Sequence, residues 1–92
     1  MSQVTVRLPT ALQPFADGEH QIRVHAGTVG DALAAVDAGR GTLLARVLTP
    51  DGAPRPLVKV FLGDVDIRSL DGLDSRVHEG DVVSIIAAVA GG

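Results

Sequence analysis

The sequence predicts one α+β domain that ends in a thin, unguarded tail. Three observations carry this. Residues 3–8 and 19–25 alternate apolar and polar side chains with a period of two, the mark of half-buried strands. Residues 28–38 place Val29, Ala32, Leu33 and Val36 at i, i+3, i+4 and i+7, one helical stripe. Two more apolar strands follow, at 57–62 and 82–86, and the chain then runs through small residues to Gly91 and Gly92.

Each element has its local reason. In the first strand Val4, Val6 and Leu8 share one face and Gln3, Thr5 and Arg7 the other, and Pro9 ends regular pairing. Residues 10–18 read as a loop from which Leu12 and Phe15 fold back onto the core. The second strand turns Ile22 and Val24 inward and Gln21, Arg23 and His25 outward, completing a hairpin with a wide connection. Thr28 opens the helix as its cap, with Asp31 three residues on as the acidic partner of a capping box. Gly39 and Gly41 close it. Leu43, Leu44, Val47 and Leu48 are spaced as a short second helix, and residues 50–56, with three prolines, form a loop. In the third strand Val58, Val60 and Leu62 oppose Leu57, Lys59 and Phe61. Gly63-Asp64 is a turn, residues 65–68 a short edge strand, and Leu70, Leu73 and Val77 anchor an irregular segment. Glu79-Gly80-Asp81 turns the chain into the last strand. The expected core is Val4, Val6, Ile22, Val24, Leu33, Val36, Val58, Val60, Val83 and Ile85.

These elements make a mixed sheet of four to five strands with one main helix and a short second one. A helix laid across such a sheet, with the first and last strands adjacent and parallel, is the β-grasp or ubiquitin-like arrangement. It is one of the few topologies the connection rules permit. Residues 1–87 form the domain and residues 88–92 a flexible tail.

Composition narrows the chemistry. At 92 residues the chain supports one modest core, and with no Trp or Tyr that core is aliphatic, Phe15 and Phe61 being the only large rings. A net charge of −3 argues against nucleic acid, whose binders carry a basic face. Gln3 and Arg7 interrupt any apolar leader, and the run 82–90 falls far short of the ~20 residues of a membrane helix. The expectation is a soluble, cytoplasmic protein that binds no membrane. The absence of cysteine excludes disulfides, thiolate metal sites and cysteine nucleophiles. Any sulfur handled here cannot ride on a side-chain thiol.

Glycine lacks a Cβ, so a partner's backbone can approach it closely. A diglycine end therefore presents its carboxylate with no side chain in the way. Other candidate sites read as ordinary surface. His20 and His25 lie five apart and show no metal-ligand spacing, and His78 stands alone, so no metal is expected. The acids Asp64/Asp66 and Asp71/Asp74 sit among turn residues, where Asp bonds its own backbone. Gly39-x-Gly41 is too short for a phosphate loop. The outer face of the third strand differs: Leu57 and Phe61 flank Lys59, and alternation from Val83 and Ile85 turns Ile86 outward as well. An apolar patch beside the tail suits an enzyme that must grip the body while working on the end.

The stretch Glu79-Gly80-Asp81-Val82-Val83-Ser84-Ile85-Ile86, ending in Val89-Ala90-Gly91-Gly92, resembles the C-terminal signature of small sulfur carrier proteins. That family includes the thiamin-pathway carrier, the small subunit of molybdopterin synthase and the carrier for cysteine biosynthesis. Val4-Thr5-Val6 and the helix from Thr28 to Val36 resemble it too. Where the family commonly has proline after the last strand, this chain has Ala87-Ala88. The resemblance implies no active site of its own and no bound cofactor. It further implies that an ATP-dependent, E1-like activating enzyme adenylates Gly92, that sulfide or a persulfide displaces AMP, and that the resulting thiocarboxylate passes sulfur to an accepting synthase. Ala88, Val89, Ala90 and Gly91 would thread the partners' active sites, with Leu57, Phe61 and Ile86 as the docking surface. Two alternatives use the same tail: a ubiquitin-like modifier conjugated through Gly92, or the small subunit of a molybdopterin-synthase-type complex. Lys59 is the only lysine, which leaves little scope for chains built on the protein itself and weighs toward the carrier.

Overall fold

The computed structural model describes residues 1–37 and 42–87. Its strands are β1 (Ser2–Arg7), β2 (Gln21–Ala26), β3 (Val58–Leu62), β4 (Val65–Asp66) and β5 (Val82–Ala87), and its helices α1 (Val29–Asp37) and α2 (Thr42–Val47). The five strands form one sheet in the order β2-β1-β5-β3-β4. β1 and β5 run parallel, with Val6 opposite Val83, and the other pairs are antiparallel. This is the β-grasp, ubiquitin-like arrangement.

The inward side of the sheet and the helices share an aliphatic core. Val4, Val6, Val60, Val83 and Ile85 from the strands meet Val29, Ala32 and Leu33 from α1, all nearly sealed from solvent. Ile22 and Val24 point the same way but stay half-buried, because β2 is the sheet edge and has no outer neighbour. The Thr28 hydroxyl accepts the Asp31 amide at 3.1 Å, the cap its position predicts. A Cβ at Gly30 would stand 3.2 Å from the Leu73 carbonyl oxygen, so glycine there lets α1 close on the 3₁₀ turn Gly72–Asp74.

α2 owes its start to a distant residue. Asp37, at the end of α1 and buried, accepts the amides of Leu43 at 2.9 Å and Leu44 at 3.3 Å through one carboxylate oxygen. Those are two of the donors an isolated helix leaves unsatisfied. The anion also faces the positive end of the helix dipole.

Four expectations need correction. Residues 10–18 are not simply a loop, since Thr10–Ala16 winds as a 3₁₀ helix with Pro14 inside it. Three residues per turn bring Leu12, Phe15 and Ala16 toward the core. The edge strand stops at Asp66 instead of running to Arg68: the Asp66 carboxylate accepts the Arg68 amide at 2.9 Å and starts the 3₁₀ turn Ile67–Ser69. That turn swings Ile67 into the core and leaves Leu70, read as an anchor, 45% exposed. His20 lies before β2 rather than on it. Ala38, Gly39 and Gly41 fall outside the described residues.

Candidate functional site

The site is the end of β5 and the surfaces beside it. The turn that launches β5 is bound to β1 at three points. Gln3 donates its amide to the Glu79 carboxylate at 2.8 Å, Gly80 donates to the Gln3 carbonyl at 2.9 Å, and Thr5 donates to the Asp81 carbonyl at 3.0 Å. Asp81 accepts the His78 amide at 2.8 Å, and Gly80 sits at φ 87°, where a side chain would be strained. Each residue of the Glu79-Gly80-Asp81 motif thus has a separate structural task in fixing the strand.

β5 leaves the sheet in steps. It pairs with β1 from Val82 to Ser84, while its pairing with β3 continues to Ala87 opposite Val58. β1 has by then ended, Leu8 donating instead to the His20 carbonyl at 2.8 Å. The strand therefore reaches Ala87 supported on one side, by β3. Ala88, Val89, Ala90, Gly91 and Gly92 lie outside the described residues.

The residues expected to form a docking surface are partly brought together. Leu57 and Ile86 are 49% and 50% exposed and share a recess of about 250 Å³ with Pro56 and Lys59. Ile86 stands directly across from Lys59. Phe61 occupies the same outer face one pair along, across from Ser84, but it is half-buried and outside the recess. At the next position on that side, Asp66 faces Phe61 from β4. Its carboxyl is held below the ordinary Asp value, first by the Arg68 amide, then by the Arg68 guanidinium at 3.2 Å, with Lys59 adding least.

A second concavity, which the sequence reading missed, opens beside Ala87. It holds about 460 Å³ among Leu12, Phe15, Arg46, Arg55, Leu57 and Ala87. The Arg46 guanidinium lies 4.6 Å over the Phe15 ring, and Arg55 Nε donates to the Ala45 carbonyl at 2.8 Å. The available signal was one arginine in the apolar segment before the proline loop and one within the loop, but only the fold sets them against Phe15 and Ala87.

Among the described residues no group of three His, Asp or Glu side chains is placed to hold a metal. No described helix is long and apolar enough to cross a membrane.

Comparison with known proteins accounts for this geometry. The ThiS family model matches residues 6–92. The sulfur carrier protein CysO of Mycobacterium tuberculosis is 32% identical over 91 residues, covering 97% of this chain and 98% of its own. The small archaeal modifier protein 3 of Haloferax volcanii is 37% identical over 65 residues, 71% of this chain and 70% of its own. A chain in the crystal structure of the Amycolatopsis orientalis BexX/CysO complex superposes with a TM-score of 0.87 at 31% identity, covering 97% of this chain and 99% of that one. The family match runs from the end of β1 through the helices and the other four strands to the diglycine end, and the chain belongs to the ThiS family of small, ubiquitin-like sulfur carrier proteins.

Proposed function

We propose that this protein carries sulfur as a thiocarboxylate on Gly92 and acts as a co-substrate of partner enzymes in the cytoplasm, without catalysis of its own. The observation that supports this best is the mounting of β5, held on both sides at its start and on one side at Ala87, immediately before the tail. A terminal carboxylate, with an ordinary pKa of about 3.3–3.7, is an anion at neutral pH and a poor electrophile. An E1-like activating enzyme overcomes this with ATP: a carboxylate oxygen attacks the α-phosphorus, the acyl-adenylate forms and pyrophosphate leaves. Sulfide then attacks the acyl carbon and expels AMP; a persulfide doing the same leaves an acyl disulfide, whose S–S bond a thiol reduces, itself ending in a disulfide. The C–S bond replaces the C–O bond to phosphate, and the thiocarboxylate passes its sulfur to an accepting synthase. The protein needs no bound cofactor, because the nucleotide belongs to the partner. A chain without cysteine has no thiol to compete for the activated carbonyl.

Ala88, Val89, Ala90 and Gly91 would lie in the partners' narrow channels. Leu57, Phe61 and Ile86 would dock the body against the activating enzyme. The likeness to small archaeal modifier protein 3 favours a second reading, in which Gly92 is joined to lysines of other proteins. The same activation would serve a synthase small subunit.

Incubation with the activating enzyme, ATP and sulfide tests the first reading. Intact mass should rise by sulfur minus oxygen, with AMP released in equal amount, and hydrolysis should reverse the change. Conjugates with lysine and no such mass in the native host would favour the modifier reading instead.

A further inference from the structure

We propose that the groove beside Ala87 is a second docking site, and that its occupant is a carboxylate-bearing, apolar segment of a partner protein. The proposal concerns recognition of the body and stands apart from whatever happens at Gly92.

Charge is the first argument. The protein has 11 Asp and Glu residues against 8 Lys and Arg, yet among the described residues the groove and the recess of about 420 Å³ adjoining it are lined by Arg46 and Arg55 and by no carboxylate. Among the described residues neither guanidinium is in an ion pair. Two cations share one concavity of an acidic molecule without a counter-anion among the described residues, which favours whatever anion fits between them. Both are also held in place without one. Arg46 rests on the Phe15 ring, and Arg55 spends one of its five donors on the Ala45 carbonyl. Less side-chain freedom is then lost on binding.

The lining decides what kind of anion. Leu12, Phe15, Leu57, Val58 and Ala87 give the groove a largely apolar wall. Inorganic phosphate would gain nothing there, whereas a peptide placing an apolar side chain beside an Asp or Glu would use both parts. A volume of about 460 Å³ is of the size that takes such side chains rather than a folded element.

Position is the third argument. Ala87 is the last described residue before the tail, and it lines the groove. An enzyme that holds the end of β5 therefore has this groove within reach. Leu57 and Pro56 line both this groove and the recess holding Ile86, so one partner could grip β3 from both sides at its root.

The test is an NMR titration of the full chain with the capped hexapeptide Asp-Leu-Asp-Leu-Asp-Leu. Shifts should appear at the amides of Phe15, Arg46 and Leu57 and at the Nε–H signals of Arg46 and Arg55. The double variant R46E/R55E should bind about tenfold or more weakly, and high salt should weaken binding to the wild type. If that variant loses its folded spectrum, Arg46→Gln and Arg55→Gln tested singly should each weaken binding. No shift at millimolar peptide would overturn the proposal, as would equal binding of the Asn-Leu repeat. Identical shifts with inorganic phosphate alone would reassign the groove to a small anion. If a chain ending at Ala87 already differs from the full chain at these residues without peptide, the occupant is the protein's own tail and the proposal fails.

Discussion

Replacing Ile86 with Asp should weaken activation of the carrier while leaving the domain folded, and the structure sets the size of both effects. Full burial of an isoleucine is worth about 1.5–3 kcal/mol. Ile86 is 50% exposed, so covering the remainder in an interface recovers roughly half of that. A carboxylate forced into the same contact adds a desolvation cost of about 1–3 kcal/mol. The total is about 2–4.5 kcal/mol, or roughly 30- to 2,000-fold in affinity. The domain loses much less. Ile86 faces out from the sheet, and the new carboxylate stands across from Lys59, which attracts it. A strand-propensity cost of about 1 kcal/mol lowers the unfolding midpoint by about 4–8 °C in a domain of this size. The assay is ATP–pyrophosphate exchange by the activating enzyme over a range of carrier concentrations. KM should rise by the stated factor, with kcat little changed at saturation. Ile86→Ser should give a smaller increase, because it removes the contact without adding charge. Unchanged KM in both Ile86→Asp and Phe61→Asp would place the docking surface elsewhere.

Two further outcomes probe the body of the domain. Asp37→Ala should cost about 1.5–3 kcal/mol in urea unfolding, because the amides of Leu43 and Leu44 lose a charged acceptor inside the structure. A loss below about 0.5 kcal/mol would mean α2 does not depend on this cap. Asp66 should titrate below the ordinary Asp range in carboxyl-detected NMR, and Arg68→Ala should raise its midpoint only part of the way, since the residue-68 backbone amide still donates. With its folded-state pKa depressed, Asp66 contributes stability that is present above the ordinary carboxylate range and lost as pH falls through the folded value. An Asp66 midpoint unmoved by Arg68→Ala would assign the whole effect to the backbone.

Local pattern made much of this legible before the structure. Val4 and Val6 alternating with Thr5 and Arg7 mark β1, and Thr28 before an apolar stripe marks the start of α1, because neighbours in the chain supply both signals. Lys59 and Ile86 could be placed on one face from alternation alone. What escaped depends on distant parts of the chain or on a change of period. Asp37 caps a helix that begins beyond residue 41, and nothing in its own sequence neighbourhood announces that. Ile67 and Leu70 exchanged their expected places because a side chain at Asp66 ended the strand and started a tighter helix. Phe61 is less accessible than alternation implies, since β4 lies beside it. The Arg46 and Arg55 groove joins segments that only the fold brings together.

The central claim is that Gly92 is the sulfur-bearing residue, and its deletion tests that most directly. An extended residue spans about 3.3–3.6 Å, and reacting atoms must come within about 3–3.5 Å. A chain ending at Gly91 therefore holds its carboxylate a full reacting distance from ATP. The body should be indifferent, because the core and all five strands lie within residues 1–87. After incubation with the activating enzyme, ATP and sulfide, the full chain should gain the mass of sulfur minus oxygen. The deleted chain should gain nothing, while unfolding at the same temperature as the full chain. The same mass gain in the deleted chain would contradict the account.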